Sequence, residues 1–223
     1  MSYHINIVRI RAVANILSDF REQIVFVGGA TVILYASRPE LTTIRPTDDV
    51  DIVIELLTTG EFYLLQDKLL ALGFEHDMTA PIISRFLYQG VKVDFMPTYP
   101  AILGFTNRWY KEGIQQKIKI QLDEHMSAYI FSAPYFIASK MEAFIGRGRG
   151  DFFASHDLED IIYILDNRST IQKEIIEAPE SVREYLLEHF KKLKSNSLFE
   201  EALLGHVEQQ NSLERVKRIL TIM

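Results

Sequence analysis

Cysteine is absent from the 223-residue chain, which excludes disulfides and thiolate-ligated metals and suits a reducing compartment. No run of roughly 18 uncharged apolar residues occurs, so no membrane span is expected. The stretch from Met1 to Arg11 is amphipathic but lacks the apolar core and small-residue cleavage site of a secretory signal. A cytoplasmic protein is the expectation. Cations are in the minority, with 24 Lys and Arg against 30 Asp and Glu and a formal net charge of −6. Broad non-specific binding of nucleic acid needs many phosphate-neutralising side chains, so an RNA partner would require a local basic groove. The six histidines, His4, His76, His125, His156, His189 and His206, show no metal-ligand spacing. Internal repeats and low-complexity tracts are also missing. What the chain does have is 48% hydrophobic residues, enough to bury a substantial core as one domain or two small ones.

The organisation changes once along the chain. Residues 4 to 20 read as a helix, Ile24 to Val27 as a buried strand, Gly28-Gly29 as a tight turn and Ala30 to Ala36 as the helix that follows. Asp49-Val50-Asp51-Ile52-Val53-Ile54 reads as a strand, and Thr58-Thr59-Gly60-Glu61 as a capping box opening a helix that stops at Gly73. Arg85 to Tyr88 and Val91 to Met96 form a hairpin around Gln89-Gly90. Residues 115 to 120 and 127 to 131 read as further short strands. From Pro134 onward only helical patterns remain, to Gly146 and then near 156–166, 179–193, 197–205 and 211–221. The expected class is α+β: a mixed sheet with flanking helices over residues 1–132, followed by a helical domain over 133–223.

The chemistry concentrates on the strands. Alternate side chains of a strand share a face, so Asp49 and Asp51 project together while Val50, Ile52 and Ile54 enter the core. A pair of carboxylates so held suits Mg²⁺ or Mn²⁺, whose oxygen ligands are commonly shared between protein acids and substrate phosphates. On the second hairpin strand Val91, Val93 and Phe95 take one face and Lys92 and Asp94 the other. Asp94 is the only acid there. Gly28-Gly29 lets a phosphate approach the backbone at a helix start. Each part alone is ordinary; the order of strand, Gly-Gly turn, helix and Asp-x-Asp strand is what points to a nucleotide.

In that order the chain resembles the polymerase-β-like nucleotidyltransferase superfamily, and within it the AbiEii-type toxin branch. The resemblance extends to Ser139-Lys140-Met141-Glu142, the Gly146-Arg147-Gly148-Arg149-Gly150 run and His156-Asp157-Leu158-Glu159-Asp160-Ile161, where His156 and Ile161 replace the branch's usual lysine and leucine. It implies a mixed sheet with flanking helices and transfer of NMP from ATP or another NTP. Asp49, Asp51 and Asp94 would bind the cation, Asp94 also serving to deprotonate the acceptor. Lys140 would contact phosphates, with Asp157 beside it, and Arg147 or Arg149 would add positive charge. Gly28-Gly29 departs from the commoner Gly-Ser, so a phosphate would rely on the Thr31 hydroxyl or on backbone N–H groups. Arg45 would either approach the triphosphate or pair with Asp48, and Asp160 would hold an interhelical partner.

The branch implies an RNA acceptor, plausibly a tRNA 3′ end, and a cognate antitoxin. A small molecule or a protein hydroxyl is an alternative acceptor. A nucleotide-binding regulator without turnover is the alternative of a different class. A haloacid-dehalogenase-like phosphatase fits less well, because threonine does not follow the acidic pair. A sugar-nucleotide glycosyltransferase would need a larger donor domain.

Overall fold

The computed structural model of the protein describes residues 4–148, 150–207 and 210–222. Seven strands, β1 (Ile24–Val27), β2 (Asp49–Ile54), β3 (Glu75–His76), β4 (Arg85–Tyr88), β5 (Val91–Pro97), β6 (Lys117–Gln121) and β7 (Ser127–Phe131), form one mixed sheet in the order β3-β4-β5-β2-β1-β7-β6. β1 and β2 lie at its centre. Their β-branched and aromatic side chains are buried on both faces of β1 and along most of β2, as central strands require. β2 runs antiparallel to β1 and parallel to β5, so a crossover must separate β2 from β5. That crossover contains the helix α2, described below.

Ten α-helices accompany the sheet: α1 (Ile5–Ile16), α2 (Thr59–Ala71), α3 (Pro100–Leu103), α4 (Tyr110–Gln115), α5 (Ala133–Ile145), α6 (His156–Asn167), α7 (Ile171–Ile176), α8 (Glu180–Lys194), α9 (Ser197–His206) and α10 (Gln210–Ile222) are those among the described residues. The start of α2 is fixed by the expected capping box. The Thr58 hydroxyl accepts from Glu61 N at 3.2 Å, and the Glu61 carboxylate accepts from Thr58 N at 3.1 Å. Inward-facing Phe62, Leu65 and Leu69 bury one side of this helix. The β4/β5 turn has both Gln89 and Gly90 at positive φ, 49° and 80°, the geometry that matches the twist of a two-residue hairpin. No helix among the described residues is long and apolar enough to cross a membrane.

Two compact units divide the chain: Met1–Thr31 with Arg45–Ser132, and Val32–Ile44 with Ala133–Met223. The first contains the whole sheet. Its core includes Phe74, Phe86 and Phe95, with Phe86 and Phe74 each packed edge-on to Phe95 at 5.7 and 5.9 Å. The second is helical and built around α5, which is apolar on nearly every side and correspondingly buried. α6, α7 and α8 pack against it. Val32–Ile44 clusters with these helices: the Tyr35 ring sits 4.7 Å from Phe136, and Arg168 donates to the Tyr35 carbonyl at 3.1 Å.

The segment after Gly28-Gly29 differs from the expected α-helix. It is a 3₁₀ helix over Gly29–Tyr35. Both the backbone N–H and the hydroxyl of Thr31 donate to the Gly28 carbonyl, at 3.2 and 2.9 Å, which tightens the turn to an i to i+3 pattern. The β-branched run Thr31-Val32-Ile33 gains little from the wider α geometry. α1 likewise stops at Ile16 and continues only as a 3₁₀ turn, Ser18–Phe20. Helices α3, α4 and α7, of one or two turns, lie where no element was expected, since so short a segment carries no readable period.

Candidate metal centre

Strand pairing converts three separated aspartates into one cluster. Asp51 is the register partner of Val27 on β1 and of Asp94 on β5, and Asp94 is the partner of Arg85 on β4. Directly paired residues share a face of the sheet, so Arg85, Asp94, Asp51 and Val27 form a row across four strands. Asp49 lies two residues before Asp51 on that same face. The three carboxylates each place an oxygen within 4.8 Å of the others. Asp94 is buried, while Asp49 and Asp51 are half-buried. This donor set suits a hard divalent cation: it is all oxygen, clustered, and open on the side of Asp49 and Asp51.

Arg85 completes the cluster, and the sequence reading gave it no role. Its Nε donates to Asp94 Oδ1 at 2.6 Å and its Nη2 to Asp94 Oδ2 at 2.6 Å, a two-armed charge-assisted pair. The same Nη2 reaches Asp49 Oδ2 at 3.3 Å. The guanidinium is held still more firmly charged than usual. Hydrogen bonding to Asp94 is the largest cause, burial opposes it, and the charges of Asp94, Asp49 and Asp51 add to it. Counting outward from the Gln89-Gly90 turn, Tyr88 opposite Val91, puts Arg85 opposite Asp94. That count was the signal available in the sequence.

The turn after β1 abuts the acids. Gly28 has φ +72°, and a Cβ built there would fall 1.8 Å from Asp51 Oδ2 and 2.9 Å from Asp51 Cβ. Only glycine both tolerates this backbone and leaves the carboxylate its place. Gly28→Ala is accordingly expected to turn the Asp51 side chain away and weaken Mn²⁺ affinity by about tenfold or more, as loss of a positioning neighbour does. Isothermal titration with Mn²⁺ checks this. Gly29 is confined as well, by Thr47 and by the Arg45 guanidinium, whose Nη1 lies 3.3 Å from the position of a Cβ. Arg45 is thus beside the turn. Thr31, by contrast, is fully buried, and its hydroxyl is given to the Gly28 carbonyl, so its observed part is to shape the turn.

A second ionic cluster lies within the helical unit. Lys140 on α5 is 7% exposed, and its Nζ lies 3.0 Å from Asp157 Oδ1 and 2.6 Å from Asp160 Oδ2, both on α6. Asp157 and Asp160 are one turn apart and so reach the same partner. Arg147 adds two bonds to Asp157, from Nε at 3.2 Å and Nη2 at 3.1 Å, although its own side chain is largely exposed. Arg149 lies outside the described residues. Ser155 caps α6 by accepting from Leu158 N at 3.3 Å. Burial works against charge on Lys140, but the carboxylates of Asp160 and Asp157 outweigh it and raise its pKa. Burial likewise works against charge on Asp157, and Lys140 and Arg147 together outweigh it and lower that pKa. The sequence-derived candidates therefore fall into two groups, Gly28, Gly29, Thr31, Arg45, Asp49, Asp51 and Asp94 in the sheet unit, and Lys140, Arg147 and Asp157 in the helical unit.

No family model matches the sequence, and neither does any curated protein. Among solved structures, the crystal structure of an antigenic nucleotidyltransferase-like protein from Paracoccidioides brasiliensis is similar to this chain with a TM-score of 0.49 and 15% sequence identity, over 94% of this chain and 96% of that one.

Proposed function

We propose that the protein is a divalent-cation-dependent nucleotidyltransferase, moving NMP from an NTP to an acceptor hydroxyl. The observation that carries this reading is the convergence of Asp49, Asp51 and Asp94 beside the Gly28-Gly29 turn. Asp49, Asp51 and Asp94 would hold Mg²⁺ or Mn²⁺. When bound, the cation supplies neutralisation of the triphosphate and of the charge that develops on the leaving pyrophosphate.

The chain's own groups do the rest. Backbone N–H groups after Gly28 and the Arg45 guanidinium receive the phosphates, in place of the hydroxyl that a Gly-Ser turn would offer. By the resemblance to the superfamily, Asp94 is the acid that serves the acceptor hydroxyl. Each of its oxygens keeps a lone pair beyond the one engaged by Arg85, so it can take the hydroxyl proton. The acceptor oxygen then bonds to the α-phosphorus as the bond to the bridging α-β oxygen breaks, and pyrophosphate departs with that electron pair. Positioning and charge neutralisation supply most of the acceleration.

For the acceptor we propose RNA, plausibly a tRNA 3′ end, with a cognate antitoxin restraining the activity in the manner of a toxin-antitoxin pair. The support is the resemblance of the Gly-Gly, Asp-x-Asp, Lys140 and Asp157 order to the AbiEii-type branch. The test is incubation of purified protein with each labelled NTP, Mg²⁺ and total RNA, alongside Asp49→Ala. Label in RNA with the wild type and none with the variant is the expected result. Label only on small molecules or on the protein itself would replace the RNA reading, and no pyrophosphate release with any NTP would overturn the transferase.

A further inference from the structure

Three carboxylates brought within 4.8 Å of one another repel unless a cation sits among them. The protein supplies one itself. Arg85 closes both arms on Asp94 and extends Nη2 to Asp49 at 3.3 Å, so one guanidinium reaches the acids of both β2 and β5. Its side chain is 21% exposed, against 36% for Asp49 and 7% for Asp94. The bond to Asp94 is therefore the sheltered one and the bond to Asp49 the long, open one. These two contacts differ enough in geometry to be given up separately.

We propose that Arg85 is an internal counter-cation of this site: it holds the acids together in the metal-free protein, yields Asp49 when a divalent cation binds, and keeps Asp94 oriented throughout. The proposal rests on the reading of Asp49, Asp51 and Asp94 as cation ligands and extends it to a residue with a positioning role. The two-armed grip fixes the plane of the Asp94 carboxylate, which rotation about χ2 would otherwise vary. Competition for Asp49 means that the free protein takes up a cation more weakly than its three acids alone would.

Direct Mn²⁺ binding, by isothermal titration or by loss of the free-ion electron paramagnetic resonance signal, tests this without reliance on turnover. Arg85→Gln removes the competitor and is expected to bind Mn²⁺ about tenfold more tightly than wild type. The variant should also melt lower than wild type in EDTA and gain more from saturating Mn²⁺, since the ligand then replaces what the guanidinium supplied. Lys92→Gln is the control. It removes a charge at the register partner of Asp49, and its affinity should stay within about twofold of wild type because half-buried Lys92 forms no ion pair with the three acids among the described residues. Should Arg85→Gln fold poorly, Arg85→Lys keeps the charge and loses the fork, and is expected to tighten Mn²⁺ binding by a smaller factor. Equal affinity in wild type and both Arg85 variants would overturn the counter-cation while leaving the metal site intact. An equal gain from Lys92→Gln would also overturn it, by showing a general charge effect. Failure of wild type and variants alike to bind Mn²⁺ would overturn both the proposal and the site it rests on.

Discussion

Asp51→Asn is expected to lower nucleotidyl transfer by about 10³-fold, the scale on which removal of one charge-stabilising group from a preorganised site is felt, with no loss of thermal stability. Asp51 is the central acid of the row, with Val27 on one side and Asp94 on the other, and it is the carboxylate that Gly28 makes room for. Asparagine keeps the shape and removes the charge. Hydrophobic contacts of the strand are untouched, because Val50, Ile52 and Ile54 point to the opposite face and are fully buried. Removing one of three clustered negative charges relieves repulsion in the apoprotein, so the melting temperature in EDTA should equal or exceed that of wild type. Pyrophosphate release and a thermal melt, read on the same preparation, check both parts. Normal turnover in the variant would show that the cation ligands are misassigned.

The largest expected effect on stability lies in the helical unit. Lys140→Met should destabilise it by about 3–5 kcal/mol, the usual cost of removing one partner from a buried ion-pair network. Asp160 is 1% exposed and Asp157 7% exposed. Arg147 still pairs with Asp157, but from a largely exposed side chain. Asp160 is the more deeply buried of the two, so the change falls most heavily on it. Urea denaturation at pH 7 measures the difference, and a change below about 0.5 kcal/mol, typical of a surface lysine, would refute the structural role.

The pH dependence follows from the signs. Asp157 is held below its ordinary value of 3.8, so its contribution is present above 3.8 and is lost as pH falls through the lower, folded value. Lys140 is held above its ordinary value of 10.5, so its contribution is complete below 10.5 and is lost as pH rises through the higher, folded value. The advantage of wild type over Lys140→Met should accordingly be level through neutral pH and shrink only at the two extremes.

Much of this was legible in the sequence, for identifiable reasons. Period-two alternation placed Asp49 and Asp51 on one face, and the turn at Gln89-Gly90 fixed a hairpin carrying Asp94 on a polar face. The Thr58/Glu61 pair marked the start of α2 because a capping box is a local pattern. Four things were not legible. The parallel pairing of β2 with β5, which sets Asp51 against Asp94, is a contact distant in sequence that no local rule supplies. The place of Arg85 follows from hairpin register, Arg85 standing opposite Asp94, but the residue type at a strand end carries no local signal of that partner. Val32–Ile44 looked like helix and loop, whereas Tyr35 ties it to α5 and to Arg168. The resemblance assigns Lys140 to phosphates, and its burial between Asp157 and Asp160 is a fact of helix packing that the motif does not encode.

In the proposed function Asp49, Asp51 and Asp94 hold a divalent cation against a nucleotide triphosphate at the Gly28-Gly29 turn. A crystal grown with Mn²⁺ and a non-hydrolysable NTP analogue, with diffraction recorded at the manganese edge, tests it most directly. An anomalous peak ligated by Asp49, Asp51 and Asp94, with the triphosphate against Gly28 and Gly29, is expected. Bound analogue lying elsewhere, with no anomalous density at these carboxylates, would contradict it.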